Sequence, residues 1–251
     1  MNGEKTVGVI GGMGPDATVE LMRRVIAATP ADDDADHIHM IVDNNPKVPS
    51  RIKALIEGTG ETPGPFIAGM ARGLAAAGAD FLVIPCNTAH HYHAEVADAV
   101  SIPVLNVITL TATAISTAPP APRRIGMLAS PAVKIVGLFD AAFQAVGIET
   151  LYPESNDRLL AVIKAVKAGQ ITDAVRETFN AVVDELEADG AGALLIACTE
   201  LSVISDALTS TLPVFDTLQV LTDEIVARAK GDAGEAVVTA APGDSRAHGP
   251  W

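Results

Sequence analysis

Apolar residues in this chain come in short runs that stop at glycine, proline or a polar cluster, and these runs alternate with stretches of helical spacing. Residues 6–10 read as a buried strand. Gly11-Gly12-Met13-Gly14 reads as a tight turn, and Pro15 as the first residue of a helix, where its missing N–H costs nothing. Val19, Met22 and Ile26 then line one face of that helix. Residues 37–43 alternate toward a second strand. Residues 44–51, with prolines at 46 and 49, form a loop at its carboxyl end, where α/β proteins place ligands. Phe66, Met70 and Leu74 at steps of four mark a helix closed by Gly78. The run 81–85 is a third strand ending at Cys86, and residues 101–105 give a short fourth.

The proline-rich segment 117–122 resembles a linker, and after it the grammar restarts. Residues 124–130 repeat the opening strand, 148–152 predict another, and Leu159, Leu160, Ile163 and Val166 face inward from a helix ending near Gly169. Thr172 caps the next helix, whose buried face carries Val175, Phe179, Val182 and Leu186. Residues 193–197 form a strand ending at Cys198. Gly8 thus matches Gly126, Cys86 matches Cys198, and the Ile-Pro-Val at Pro103 matches the Leu-Pro-Val at Pro213. The spacing between matched residues drifts only slightly, as changes in loop length would produce.

The expected architecture is α/β, with two similar flavodoxin-like domains related by a pseudo-twofold axis, each around a four-stranded parallel sheet. The first domain is expected to take residues 1–106 plus a returning helix at 217–230, and the second residues 107–216. Residues 231–251, with little periodicity, are expected to be a mobile tail.

Composition narrows the function classes. The chain of 251 residues is 49% hydrophobic with mean hydropathy +0.31, but no apolar run approaches the roughly 20 residues of a membrane span. The start of the chain shows no export signal, so two cysteines read as reduced thiols in the cytosol. A formal charge of −14 argues against nucleic acid, and it requires any site for an anion to carry its own cations. The run 31–36 with its four aspartates reads as a solvated loop and not a metal site, because adjacent carboxylates do not converge without a glycine turn between them. His90 and His93 share a helical face within a histidine cluster spread over the surface, with no third ligand for a metal.

Each cysteine ends an apolar strand and precedes residues able to cap a helix, Asn87-Thr88 in one case and Thr199-Glu200 in the other. Helix-terminal amides stabilise thiolate and pull a cysteine pKa toward neutrality. Taken singly, either cysteine reads more simply as a buried core residue. Matched placement in a duplicated chain instead predicts two thiols facing each other across one cleft. That arrangement suits stereoinversion, in which one thiolate removes a proton from one face of a carbon and the opposing thiol protonates the other.

The segments Gly11-Gly12-Met13-Gly14-Pro15, Asn44-Asn45-Pro46, Pro85-Cys86-Asn87-Thr88-Ala89 and Cys198-Thr199-Glu200 together resemble the cofactor-independent aspartate/glutamate racemase superfamily, and its aspartate racemase branch most. The resemblance runs from about Val7 to Ala229. It implies an active site between two domains, with Cys86 and Cys198 as the acid/base pair and no cofactor or metal. By motif position Arg51 and Lys167 hold substrate carboxylates, and Asn87, Thr88, Thr199 and Ser130 bond the α-amino and α-carboxylate groups. Met13, Gly14, Asn44 and Glu200 complete the substrate-binding set. The partner implied is an acidic amino acid, aspartate first, and the assembly expected is a homodimer without membrane or nucleic acid. Two departures lie near the expected substrate: Ser50 precedes Arg51 where the branch commonly has Asp, and Ser130-Pro131-Ala132-Val133 replaces a threonine-glycine-threonine turn.

Three other readings stay open at this stage. Gly12-Met13-Gly14-Pro15-Asp16-Ala17 fits a dinucleotide fingerprint with Asp43 ending the next strand, but gives the second cysteine no task. A small-acid binding protein with idle cysteines needs only the fold. A decarboxylase or dicarboxylate isomerase of the same superfamily would need one cysteine.

Overall fold

A computed structural model of the protein describes residues 4–231. In chain order its elements are β1 (Val7–Gly11), α1 (Pro15–Ala28), β2 (Met40–Asn44), α2 (Arg51–Leu55), α3 (Gly64–Ala76), β3 (Phe81–Val83), α4 (His93–Asp98), α5 (Val107–Thr117), β4 (Arg124–Ala129), α6 (Pro131–Ile135), α7 (Asp140–Ala145), β5 (Glu149–Leu151), α8 (Asn156–Lys167), α9 (Asp173–Ala188), β6 (Ala193–Ala197), α10 (Thr199–Val203), β7 (Val214–Asp216) and α11 (Thr217–Lys230). The strands form two separate parallel sheets, ordered β2-β1-β3 and β5-β4-β6-β7. The fourth strand expected in the first sheet is reduced to one bridge, Leu82 to Val104. Its backbone bonds there are complete, Leu82 N–H to Pro103 and Leu105 N–H to Leu82, both 2.8 Å. Pro103 itself brings no N–H, so the pairing does not extend further. With that segment counted, both sheets run in the same order, as the sequence repeat requires.

The repeat extends to packing. Gly8 in β1 sits opposite Leu82, and Gly126 in β4 opposite Leu194. A β-carbon on Gly8 would lie 2.5 Å from the Leu82 side chain and 2.9 Å from Ala79. On Gly126 it would lie 2.9 Å from Leu194 and 3.2 Å from Ala191. The central strand of each sheet therefore needs glycine at one position because the same Leu-Ala pair closes over it. Apolar clusters cover the outer faces, one built on Ile10, Ile67, Leu74 and Leu82, the other on Leu159, Phe179, Leu186 and Leu194. A third cluster is shared, joining Val7, Val9 and Phe81 to Ile125, Met127 and Phe215 through α5 and α11. α11 packs on α1 of the first half, and α5 packs on α7 of the second. Each half's last segment therefore leads into a helix that covers the other half, and Lys5 N–H closes the first strand onto the end of α11 at Ala229, 3.0 Å away.

Two sequence expectations are corrected here. Val19 and Ile26 do share a face of α1, but it is the outer one, 58% and 48% exposed, while Ala17, Thr18, Leu21 and Val25 are buried. Thr18 sets the rotation: its hydroxyl accepts the Gly12 N–H at 2.9 Å, and its side chain fills the space a β-carbon on Gly11 would need. In α3 the expected stripe holds for Met70 and Leu74, whereas Phe66 is 43% exposed. Of the expected tail, all but Gly231 lies outside the described residues.

His90 is the second correction. It is buried and not on the surface, at 5% exposure. Its Nε2 lies 3.2 Å from the Val107 N–H and must accept from it, so Nδ1 carries the proton and donates to the Cys86 carbonyl at 2.9 Å. One ring thus fastens the turn after β3 to the first residue of α5. Burial lowers the His90 pKa to about 4, against the weaker opposing pull of the Cys86 carbonyl.

Two stability predictions follow from these contacts. Gly8→Ala should destabilise by about 1–3 kcal/mol through overpacking, and by more than Gly126→Ala, whose clearance is larger; chemical denaturation of both variants checks the order. His90 stays neutral when folded but charges when unfolded below about pH 6.5, so its contribution is complete above that pH and is lost as pH falls toward 4. The loss should reach about 3 kcal/mol. Unfolding free energies measured across that window should fall in the native protein, and more gently in His90→Gln; equal slopes would exclude the assignment.

Candidate active site

The carboxyl ends of β1, β2, β3, β4 and β6 deliver the candidate residues, the position at which open parallel sheets bind ligands. β1 runs into the Gly12 turn, which has φ +89° and approaches the Asn45 backbone so closely that a β-carbon would sit 2.2 Å from it. Only glycine fits this approach, and it fixes the proline loop against the turn. That loop ends at Ser50, which caps α2 by accepting the Lys53 N–H at 3.3 Å. Arg51, the first residue of α2, reaches back to donate to the carbonyls of Met13 at 3.1 Å and Pro49 at 3.0 Å. No carboxylate among the described residues pairs with its guanidinium, so its charge is uncompensated.

From the other half, Cys198 is 6% exposed and stands at the N-terminal end of α10. Its thiol donates to Glu200 Oε2 at 3.1 Å. The other oxygen, Oε1, lies 3.3 Å from the Lys167 ammonium at the end of α8, but makes no hydrogen bond and is buried. Gly14 lies over this group, since a β-carbon there would come within 3.3 Å of the same Oε1. The glycine turn, Glu200, Lys167 and Cys198 are thus brought together from both halves. Burial is the largest influence on Lys167 and lowers its pKa, but Glu200, Cys198 and Cys86 oppose it in that order and leave the ammonium above its ordinary range, with Arg51 pulling weakly the other way. Both cysteines and both cations therefore lie within one electrostatic neighbourhood.

Cys86 is 7% exposed and shares a narrow crevice with Asn87, Thr199 and Thr217. Asn87 Nδ2 donates to Thr217 Oγ1 at 2.9 Å, and that hydroxyl donates onward to the Ile196 carbonyl at 3.1 Å. This chain leaves Asn87 Oδ1 as a buried acceptor without a partner. Thr88 and Ser130 meet across the two halves at 3.2 Å. Asn44 ends β2 beside Gly11 and is exposed; no contact links it to the cysteines.

The expectation that helix ends would lower both thiol pKa values is not met at Cys198. Burial pushes that thiol well above its ordinary value, the Glu200 carboxylate adds to the effect, and Lys167 only partly opposes it. Neither expected capping pair forms a side-chain cap: a 3-10 turn follows Asn87, and α10 has only five residues. The Gly12 N–H is taken by Thr18, so this amide of the turn is not free for a dinucleotide pyrophosphate. Thr217 and His90 were not among the sequence candidates. His90 stands four residues after Cys86, a helical spacing that marks it as able to reach back, while nothing local marks Thr217.

The sequence model of the Asp/Glu/hydantoin racemase family matches residues 10–225. The broad specificity amino-acid racemase RacX of Bacillus subtilis (strain 168) is 27% identical over 218 residues, covering 84% of this chain and 92% of that protein. Among solved structures, Picrophilus torridus aspartate racemase superposes with a TM-score of 0.80 at 31% identity, over 90% of this chain and 94% of that one. Glutamate racemase from Francisella tularensis subsp. tularensis SCHU S4, solved with D-glutamate, shares the fold at a TM-score of 0.65 and 15% identity, over 93% of this chain and 83% of that one. With the match spanning both sheets and both cysteine turns, the chain belongs to the Asp/Glu/hydantoin racemase family and is an amino-acid racemase.

Proposed function

We propose that the protein racemises an acidic amino acid, aspartate before others, with Cys86 and Cys198 as the two proton-handling groups and no cofactor. The observation that carries this reading is geometric: Cys86 shares a crevice with Thr199, the neighbour of Cys198, while Glu200 joins Cys198 to Lys167 and lies under the Met13-Gly14 turn that Arg51 holds. The charges support an acidic substrate. Arg51 and Lys167 are positive and, among the described residues, Glu200 is the one carboxylate paired with either, leaving one net positive charge, the complement of a zwitterion with one additional carboxylate. The buried acceptors Asn87 Oδ1 and Glu200 Oε1 have no hydrogen-bond partner among the described residues, Oε1 facing only the Lys167 ammonium at 3.3 Å, and they suit the substrate ammonium, because a carboxylate would meet lone pairs there. Asn87 is thus narrowed from the sequence reading, since its donor side is already held by Thr217.

In this reading Arg51 and Lys167 orient the carboxylates, Thr88, Ser130 and Thr199 bond the remaining polar groups, and Met13, Gly14 and Asn44 border the substrate. One sulfur removes the α-proton and the other protonates the opposite face. The two sheets with exchanged helices support the domain division at 1–106 plus 217–230 and 107–216. A cytosolic setting, where thiols stay reduced, and a homodimer belong to the same reading. A wider substrate range is the second reading, favoured by the name of the Bacillus subtilis relative.

Purified protein treated with EDTA should interconvert L- and D-aspartate, and in D₂O the inverted product should carry deuterium at Cα. Cys86→Ser and Cys198→Ser should each abolish racemisation, since serine leaves almost no alkoxide near neutral pH. Wild-type rates in both variants would overturn the assignment of the two cysteines as the proton-handling groups. Arg51→Ala should lower kcat/KM for aspartate through the loss of about 1.5–3 kcal/mol of charge-assisted bonding. Arg51→Lys should also be impaired, because an ammonium cannot serve the substrate and the Met13 and Pro49 carbonyls together. Steady-state kinetics with aspartate, glutamate and a neutral amino acid separate the narrow from the wide substrate range.

A further inference from the structure

The two cysteines occupy repeat-related strand ends, yet their surroundings differ. Cys198 has a carboxylate in direct contact: its thiol donates to Glu200 Oε2 at 3.1 Å. The Glu200 side chain is 9% exposed, its second oxygen has no hydrogen-bond partner, and that oxygen faces the Lys167 ammonium at 3.3 Å. A buried carboxylate held between a cation and a thiol is a proton acceptor already in place. Among the described residues Cys86 has no carboxylate bonded to its sulfur; the side-chain bond made at that position is from His90 to its backbone carbonyl.

We propose that Glu200 is a third acid–base group of this site, taking the Cys198 thiol proton as that sulfur removes the substrate's α-proton and returning it in the reverse direction. The inference rests on the two-cysteine reading above and changes Glu200 from a substrate contact alone to a catalytic residue. The atoms balance. The S–H bond of Cys198 breaks toward Glu200 Oε2 while the Cα–H bond breaks toward Sγ, so Cys198 ends as a thiol, Glu200 as a carboxylic acid, and the electron pair stays on the substrate. Cys86 then gives its S–H proton to the opposite face and ends as thiolate. Exchange with solvent removes the proton from Glu200 and restores one to Cys86. Such a relay never requires a free thiolate at Cys198, where burial and the adjacent carboxylate both disfavour one. Lys167 balances the charge of the carboxylate between turnovers.

The test isolates each sulfur. In a Cys86→Ser background only Cys198 can exchange the α-proton of aspartate with D₂O, and in a Cys198→Ser background only Cys86 can. Adding Glu200→Gln, which keeps the side-chain shape, should slow Cys198-dependent exchange by about a hundredfold or more, and by at least about tenfold more than it slows Cys86-dependent exchange. An equal loss in the two backgrounds would mean that Glu200 acts on the substrate and would overturn the proposal. A second measurement needs no turnover: thiolate absorbance of Cys198 in Cys86→Ser should titrate at a pH lower by about one unit or more once Glu200→Gln is added. An unmoved titration overturns the proposal. Failure of both single-cysteine proteins to exchange any amino acid would instead count against the racemase reading, with the titration still deciding the role of Glu200. Should Glu200→Gln not fold, Glu200→Asp, which keeps the charge but withdraws it from the sulfur, should show the same selective loss.

Discussion

Two strand ends on different sheets can serve one substrate only if something fixes the sheets against each other, and the Arg24–Asp216 pair does this from within α1. The ion pair is 2.7 Å long with side chains 10% and 11% exposed. Arg24 also donates to the Ser202 carbonyl at 2.9 Å and to Glu20 at 2.7 Å. Asp216 accepts the Ser202 hydroxyl at 2.7 Å and caps α11 through the Leu218 N–H at 2.8 Å. A single helix of the first half thereby holds the far end of α10, which begins beside Cys198, and the first turn of α11, which carries Thr217. Breaking a buried pair of this kind typically costs about 3–5 kcal/mol, because one charge is left without compensation. Here the consequence would reach the Cys198 turn, since Arg24 bonds the backbone of α10 directly.

The charge balance of the site follows the same logic of compensation. A chain with a formal charge of −14 repels anions at long range. Locally Arg51 brings a positive charge, its guanidinium bonded to main-chain carbonyls and, among the described residues, to no carboxylate. Lys167 is treated differently: Glu200 balances it. The pair keeps the ammonium protonated in a partly buried place and brings a carboxylate to within reach of a thiol. Burial that would be unfavourable for Lys167 or Glu200 alone is tolerable because each supplies the other's opposite charge.

Much of this was legible in the sequence because it depends on local chemistry. Strand β1 ending in glycine, β6 ending just before Cys198, Pro15 at a helix start, Thr172 as a cap and the echo of Ile-Pro-Val in Leu-Pro-Val are decided within a few residues, whereas β3 stops at Val83, three residues before Cys86. The two-sheet arrangement followed from the repeat, and the cysteines, Arg51 and Lys167 from motif position. What failed depended on distant partners. The buried face of α1 was set by Thr18 fitting the glycine turn and not by the apolar stripe of Val19, Met22 and Ile26. His90 was taken for a surface residue because its two partners, a carbonyl and an amide, carry no side-chain signal. The Cys198 thiol was expected to be acidified by a helix that proves to have only five residues, and it meets a carboxylate instead.

A duplicated scaffold raises a question of symmetry that the site answers. At the level of packing the halves are close copies, down to a glycine under a Leu-Ala pair in each central strand. An amino acid has no twofold axis: its α-carbon bears an ammonium, a carboxylate and a side chain in unlike directions. A site that kept the symmetry of its scaffold would offer the same group on both sides and would satisfy the substrate on only one. Divergence is therefore needed immediately after each cysteine, where the chain first reaches the ligand. The first copy continues Asn87-Thr88, giving an amide whose donor side is held by Thr217 and whose acceptor side is open. The second continues Thr199-Glu200, giving a carboxylate on the sulfur and opposite a lysine. The strands and glycines preserve the repeat, as the proposed two-cysteine mechanism needs both sulfurs at equivalent heights. The residues one and two positions further on break it, as the proposed binding of a chiral molecule between the sulfurs requires.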